Sequence, residues 1–559
     1  MNQADPEWWR GCVIYQIYPR SFQDTNGDGL GDLPGITARL PYVASLGVDA
    51  IWISPFFRSP MADMGYDVSD YCSVDPMFGT LDDFDRLVAE AHRLGLKVII
   101  DQVLSHTSDR HPWFRESRSD RSNPKADWYV WADPKPDGTP PNNWLSVFGG
   151  SAWEWDGVRR QYYLHNFLSS QPDLNFHNEQ VQRALLDAVR FWLERGVDGF
   201  RLDAVNYHFH DRSLRDNPPL PPSKTNDIHE SNPYGYQDHI YDKTRPENLD
   251  FLKRFRLLVD SYEARTAMGE VGDGERSLRT VAAYTEGGDK LNMCYTFDML
   301  GPEFSPAHAL RCVQAFETAV KDGWICWAFS NHDVVRHVSR WTAAGADCDA
   351  VAKFSIGLLA ALRGSICLYQ GEELGLEQAD LAFEDLRDPY GIRFWPAFKG
   401  RDGCRTPMVW EHGALNGGFT TGMPWLPVPA LHMSRAVDRQ ERNTTSILAH
   451  YRQVLRFRRE HQPLRIGSIE FLDSRDPHLL AFLRRADNEA LLCAFNFSHH
   501  PRQFVLPSAV GTVIPLDYPA EGGDLLSGEL ILPGFGSFVG RLGDTGTGRV
   551  WVDGPDKAG

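Results

Sequence analysis

The sequence predicts an α/β protein: a (β/α)8 TIM barrel with a subdomain inserted after its third strand and an antiparallel β domain at its C-terminal end. Three observations carry that expectation. Eight short β-branched runs alternate with longer amphipathic stretches between residues 13 and 370. The alternation breaks once, at residues 105–173, where Trp, Pro, Asn, Gly and Asp dominate over a length no ordinary strand-to-helix loop reaches. Beyond a helical stretch at 445–460, only short strand-like runs remain.

Taken in order, the barrel strands are expected at 13–18, 50–53, 98–103, 199–203, 267–270, 293–297, 326–330 and 365–370. Helical periodicity fills stretches between them, as at 81–94, 179–195 and 350–362. Repeated strand–helix units need parallel pairing through right-handed crossovers, and eight of them suit a closed barrel. The barrel is assigned to residues 1–104 and 174–463, the inserted subdomain to 105–173, and a C-terminal β-sandwich domain to 464–559. Its strands are expected at 468–472, 479–484, 490–496, 503–506 and 536–541, with a loose Gly- and Asp-rich tail from Gly543. A second irregular stretch, 376–439, follows the eighth strand and is expected to cover the barrel mouth.

Composition narrows the function classes. The 559 residues are 42% hydrophobic and 24% charged, ordinary values for a globular chain. A net charge of −18 argues against a nucleic-acid partner, since phosphate contacts need a basic surface. No basic leader precedes an apolar segment near Met1, and no run approaches a membrane span, so neither a signal peptide nor a membrane partner is expected. Nine cysteines without CxxC spacing suit reduced thiols and a cytoplasmic location.

In a barrel the chemistry sits at the C-terminal ends of the strands. There the sequence puts Asp101, His106, Arg201, Asp203, Glu270, His332 and Asp333. Arg201 and Asp203, two apart on a strand, share a face. The pair reads either as a structural ion pair or as a carboxylate held ionised for nucleophilic attack. Glu270 leaves an apolar strand, where desolvation would raise its pKa towards that of a general acid. Asp333 follows Asn331 and His332 on one loop. Three carboxylates at the ends of the fourth, fifth and seventh strands suit glycoside hydrolysis, which needs one ionised and one protonated carboxyl group, with two histidines and an arginine to donate to sugar hydroxyls. Separately, Asp24, Asn26, Asp28 and Asp32 set side-chain oxygens at positions 1, 3, 5 and 9 of a glycine-rich loop, with a carbonyl expected at Leu30. That is a donor pattern for Ca²⁺ or Mg²⁺ in a structural role, or else a polar turn. No organic cofactor is expected.

From Trp9 to about Arg541 the sequence resembles glycoside hydrolase family 13, the α-amylase superfamily, and within it the bacterial α-glucosidase and oligo-1,6-glucosidase branch. The matching stretches are residues 13–22, 24–32, 101–106, 171–175, 199–203, 268–270, 330–333 and 400–408. The resemblance implies Asp203 as nucleophile, Glu270 as general acid and then base, and Asp333 as a third carboxylate gripping ring hydroxyls. It implies His106, Arg201 and His332 as contacts to the first glucose, and Asp63, Tyr66 and Arg401 as the blind end of a pocket, with Arg405 a second candidate. Phe148 and Phe167 are either aromatic walls of that pocket or core of the inserted subdomain.

A closed pocket implies a retaining, exo-acting α-glucosidase that takes the non-reducing glucose of short substrates such as maltose, sucrose and small oligosaccharides, and passes it to water or to another alcohol. The chain is expected to work as a monomer or homodimer. Ala204, just after Asp203, leans the linkage preference towards maltose-type or sucrose-type substrates, because relatives preferring α-1,6 bonds resemble valine there. A dedicated transglucosylase or a sucrose-converting enzyme is the alternative. A non-catalytic transporter-accessory relative is the remote one, opposed by the intact carboxylates and the lack of a membrane span.

Overall fold

The computed structural model describes residues 5–221, 228–342, 347–519, 522–526 and 528–543. Eight parallel strands form the central sheet: β1 (Val13–Ile17), β2 (Ala50–Ile53), β3 (Lys97–Gln102), β4 (Gly199–Leu202), β5 (Thr266–Val271), β6 (Met293–Thr296), β7 (Cys326–Ala328) and β8 (Ser365–Tyr369). They are hydrogen-bonded in the order β6-β5-β4-β3-β2-β1-β8-β7. The ring closes between β6 and β7 through one isolated parallel bridge, Cys294–Ile325. Strands buried on both faces read as continuous apolar runs, which is why all eight were visible in the sequence.

Several strands end one or two residues before the expected point. Asp203, Phe297, Ser330 and Gln370 belong to the loops, because there the chain turns out of the ladder to make the site. Ala204 shows the turn most clearly, with a left-handed backbone (φ 42°, ψ 46°).

The helices form by ordinary local rules. The helix Leu81–Arg93 starts with a capping box, in which the Thr80 hydroxyl accepts from the Asp83 N–H and the Asp83 carboxylate accepts from the Thr80 N–H. Such a cap contributes about 1 kcal/mol. Phe84, Leu87, Val88 and Ala91 fall at helical spacing and bury one face against the sheet.

In the inserted segment, Trp131–Ala132, Trp153–Asp156 and Gln161–Leu164 make a three-stranded antiparallel sheet. These strands are too short and aromatic to show a two-residue period. The C-terminal part folds as two antiparallel sheets. The first has the order β9 (Ser468–Leu472), β10 (Leu479–Ala486), β11 (Glu489–Asn496), β16 (Ser537–Leu542), β13 (Val513–Pro515). The second has the order β12 (Arg502–Val505), β15 (Glu529–Leu532), β14 (Asp524–Leu526). Strands β13, β14 and β15 were missed because their alternation is diluted by Pro, Asp and Gly. The expected loose tail beyond Gly543 lies outside the described residues.

Two buried arginines join the base of the barrel to this β domain. Arg458 donates to the carbonyls of Ala360, Leu464, Gly364 and Gly11, and Arg484 to those of Ala361, Gly467 and Ser468. Burial lowers the Arg458 pKa to about 10 and that of Arg484 to about 9. Among the described residues, no helix is long and apolar enough to cross a membrane.

Candidate active site

Arg201 is the hub. It is fully buried at the end of β4 and reaches three carboxyl groups. Its Nη1 donates to Asp101 Oδ1 at 2.9 Å and to Asp203 Oδ1 at 2.6 Å, and its Nη2 lies 2.6 Å from Glu270 Oε1. The Nη2 hydrogen is directed at the Tyr295 hydroxyl, 2.6 Å away. That hydroxyl in turn donates to Glu270 Oε1 at 2.8 Å. Glu270 Oε2 accepts from the Ala204 N–H at 3.1 Å, a bond available because Ala204 turns left-handed.

The two central carboxyl groups are thus held differently. Asp203 receives a charge-assisted hydrogen bond from Arg201, which favours its ionised form. Glu270 receives a phenol and an amide N–H, and only the proximity of the guanidinium. Burial raises both pKa values to about 7, with Arg201 pulling each back down and neighbouring carboxylates adding to the rise. Two like charges so close hold about one proton between them near neutrality. Among the described residues no hydrogen bond engages Asp203 Oδ2, so one oxygen is pinned and the other is free to attack.

Asp333 differs. Burial alone would raise its pKa, but the His332 Nε2–H and the guanidinium charges of Arg401 and Arg405 outweigh burial and hold it well below the usual carboxylate range. Arg405 Nη2 lies 2.9 Å from Asp333 Oδ1 and Arg401 Nη1 3.2 Å. His332 Nε2 approaches Asp333 Oδ2 at 3.2 Å and also meets the Tyr66 hydroxyl. Its Nδ1 faces Gln16 Nε2 at 2.7 Å. An amide NH2 can only donate, so Nδ1 is the acceptor and Nε2 carries the proton. Burial lowers the His332 pKa well below normal, leaving the ring neutral.

The closed end is built by distant segments. Arg401 Nη2 bonds Asp63 Oδ1 at 2.8 Å and Asp388 Oδ1 at 2.8 Å, while its guanidinium lies 5.1 Å over the Phe148 ring. Gln171 Nε2 donates to Asp63 Oδ2 at 3.1 Å and stands 3.2 Å from His106 Nε2. Tyr66 stacks parallel to His332 at 5.3 Å and donates to Asp101 Oδ2. Phe167 lies 5.0 Å from the His106 ring and 6.1 Å from Phe148, so the two phenylalanines pack together beside these residues. Burial lowers the His106 pKa to about 4.

The fold therefore brings together every sequence-derived candidate of the sugar site: Asp63, Tyr66, His106, Phe148, Phe167, Arg201, Asp203, Glu270, His332, Asp333 and Arg401, together with Arg405. The stretch 376–439, expected over the mouth, supplies Asp388, Arg401 and Arg405. Sequence reasoning missed Tyr295, Asp388 and Gln171 as partners. Tyr295 sits at the end of β6, so the strand-end rule that found Glu270 would also have found it. Asp388 lies in irregular chain and carried no signal.

The loop Asp24–Asp32 lies apart from these residues. Asp24 Oδ1 accepts from the N–H groups of Asn26 and Gly27, Asn26 Oδ1 from Asp28, and Asp28 Oδ1 from Leu30. Asp24 Oδ2 accepts from Gly29. These nested turns wind the chain tightly, and a Cβ on Gly29 (φ 92°) would stand 1.8 Å from the Met423 carbonyl oxygen. The side-chain oxygens alternate with N–H groups turned back onto them, which suits an oxygen-donor cation loop. Among the described residues, no cluster of three or more His, Cys, Asp or Glu side chains is placed to hold a metal by itself. The donor set here relies also on Asn26 and a backbone carbonyl.

Residues 16–467 match the model of the α-amylase catalytic domain, and 469–523 that of the maltogenic amylase C-terminal domain. A probable α-glucosidase of Rhizobium meliloti (strain 1021) is 61% identical over 97% of this chain and 98% of its own length. An oligo-1,6-glucosidase of Heyndrickxia coagulans is 39% identical over 90% of this chain and 94% of its own. Among solved structures, the α-glucosyl transfer enzyme XgtA superposes with a TM-score of 0.93 at 57% identity, over 96% of this chain and 99% of its own.

Proposed function

The chain belongs to the α-amylase family of glycoside hydrolases, and from that premise we propose that it is a retaining, exo-acting α-glucosidase that also transfers glucose to alcohols. The observation that carries this is the Asp203–Arg201–Glu270 cluster: two carboxyl groups that share about one proton near neutrality, one of them, Asp203, pinned by a single oxygen with the other unbonded among the described residues. Asp203 Oδ2 attacks the anomeric carbon while Glu270 gives its proton to the departing glycosidic oxygen. Glu270, now ionised, takes a proton from water or an alcohol, whose oxygen attacks the same carbon and frees Asp203. Two inversions retain the configuration.

Asp63 and Arg401 with Tyr66, His106 and Phe148 suit the blind end, since Arg401 ties Asp63 to Asp333. Asp333, held ionised, suits a grip on ring hydroxyls. Maltose-type or sucrose-type glucosides are the substrates favoured by Ala204, and a cytoplasmic site of action by the reduced cysteines.

The test is product analysis on maltose, isomaltose, sucrose, trehalose and kojibiose across pH. Glucose should first appear as the α-anomer. The rate should fall on the alkaline side as the pair loses its shared proton, and fall again on the acid side as the pair gains a second. Release of the β-anomer first, or no glucose from any of the five sugars, would sink the reading. Sucrose isomerised without net hydrolysis would favour the sucrose-converting alternative.

We propose also that Asp24, Asn26, Asp28, the Leu30 carbonyl and Asp32 hold a structural Ca²⁺ or Mg²⁺. The ion would pin the loop that follows β1. Chelation should then lower the melting temperature by a few degrees while leaving residual activity at 25 °C largely intact. An unchanged melting temperature after exhaustive chelation, with no metal found by elemental analysis of the native protein, would overturn it.

A further inference from the structure

Lys243 is a buried cation that makes no ion pair among the described residues. Its ammonium group spends all three donors on neutral oxygens: Tyr207 Oη at 3.0 Å, Tyr234 Oη at 3.1 Å and the Gly272 carbonyl at 2.9 Å. The ammonium also lies 4.9 Å from the Tyr207 ring and 5.5 Å from that of Tyr234. Buried Asp273 and Asp242 are near enough to favour the charged form, yet neither bonds the ammonium, whose hydrogen bonds all go to neutral oxygens. What the charge holds is therefore informative.

It holds two loops of the site. Tyr207 stands four residues after Asp203, and Gly272 two residues after Glu270. The same Gly272 carbonyl accepts from Asn206 Nδ2 at 3.1 Å. Asn206 Nδ2 also reaches the Thr244 hydroxyl at 3.0 Å, next to Lys243. Segment 243–244 thus ties the chain leaving β4 to the chain leaving β5. The Tyr207 ring packs 5.3 Å from Phe167, which also neighbours His106 and Phe148. Tyr207 is only half-buried, whereas His106, Asp63 and Phe148 at the closed end are buried. Part of the Tyr207 surface is thus left accessible four residues beyond Asp203.

Resting on the α-glucosidase reading, we propose that Lys243 is a positioning residue that fixes the Tyr207 phenol as a wall for the aglycone or acceptor, without touching the sugar at the closed end. The link is the Lys243–Tyr207 hydrogen bond, backed by Tyr234, whose hydroxyl lies 2.8 Å from that of Tyr207.

The experiment compares Lys243→Met and Tyr207→Phe with wild type, using maltose as glucosyl donor and glucose or a simple alcohol as acceptor. Lys243→Met should raise the acceptor KM for transfer about tenfold, the size expected for a lost charge-assisted hydrogen bond. The inhibition constant of a monosaccharide-sized iminosugar, which occupies only the closed end, should move by less than about twofold. Tyr207→Phe should raise acceptor KM by a smaller factor, and the double variant should be no worse than Lys243→Met, because both changes cut one link. Should Lys243→Met fail to fold, Tyr207→Phe alone decides by the same two readouts. An unchanged acceptor KM, or equal changes in acceptor KM and iminosugar inhibition, would overturn the proposal. A wild type that releases no glucose would instead overturn the function on which it rests.

Discussion

Asp203→Asn is expected to lower turnover by at least about 10⁴-fold, the order seen when a covalent nucleophile is removed. The substitution keeps the shape and the hydrogen bond from Arg201, whose Nη1 lies 2.6 Å from Asp203 Oδ1. It removes the negative charge that must attack the anomeric carbon. It also removes one of the charges raising the Glu270 pKa, so Glu270 should titrate at lower pH in the variant. Substrate should still bind, because Asp63, His106, Asp333 and Arg401 are untouched. The checks are steady-state rates on maltose, a binding measurement by calorimetry and the pH profile of residual turnover. Turnover above about 1% of wild type would remove Asp203 from the nucleophile's place, since losses at a nucleophile run to many orders of magnitude.

Arg201→Met is expected to abolish activity and, unlike Asp203→Asn, to damage the fold. The guanidinium is fully buried among Asp101, Asp203 and Glu270, at 2.9, 2.6 and 2.6 Å. Burial opposes its charge, and those carboxylates outweigh burial and raise its pKa. Removing one partner of a buried ionic cluster typically costs about 3–5 kcal/mol, because the remaining charges are left uncompensated. Three remain here. Part of the loss should return in Arg201→Met combined with Asp101→Asn, which takes away the carboxylate with no part in the chemistry. Urea midpoints of the two variants measure this. If Arg201→Met unfolds at the wild-type midpoint, the cluster is not what holds the ends of β3, β4 and β5 together.

These expectations rest on residues that were legible before the fold was known. Glu270 and Asp203 could be found because a buried strand is an apolar run with a sharp polar end, so a carboxylate at that end stands out. Asp333 and His332 stood out for the same reason. What could not be read was tertiary. Asp388 clamps Arg401 from thirteen positions away, in chain with no periodicity, and only the folded loop brings it there. Gln171 reaches both Asp63 and His106, which lie far from it in sequence. Lys243 carries no mark in the sequence, which does not announce which lysine will be buried. The short strands of the inserted segment failed for a different reason: their pairing depends on aromatic packing across strands rather than on a two-residue period.

The closure of the barrel has one more consequence. Adjacent strands elsewhere in the ring share ladders of three or four paired residues, whereas β6 and β7 meet at the single Cys294–Ile325 bridge. Local opening starts where the fewest backbone bonds must break. That seam has Tyr295, the partner of Glu270, on one bank, and the chain running into His332 and Asp333 on the other. Amide exchange should therefore be fastest along this line of the ring, so that the part of the sheet least resistant to breathing is also the part that separates Glu270 from Asp333.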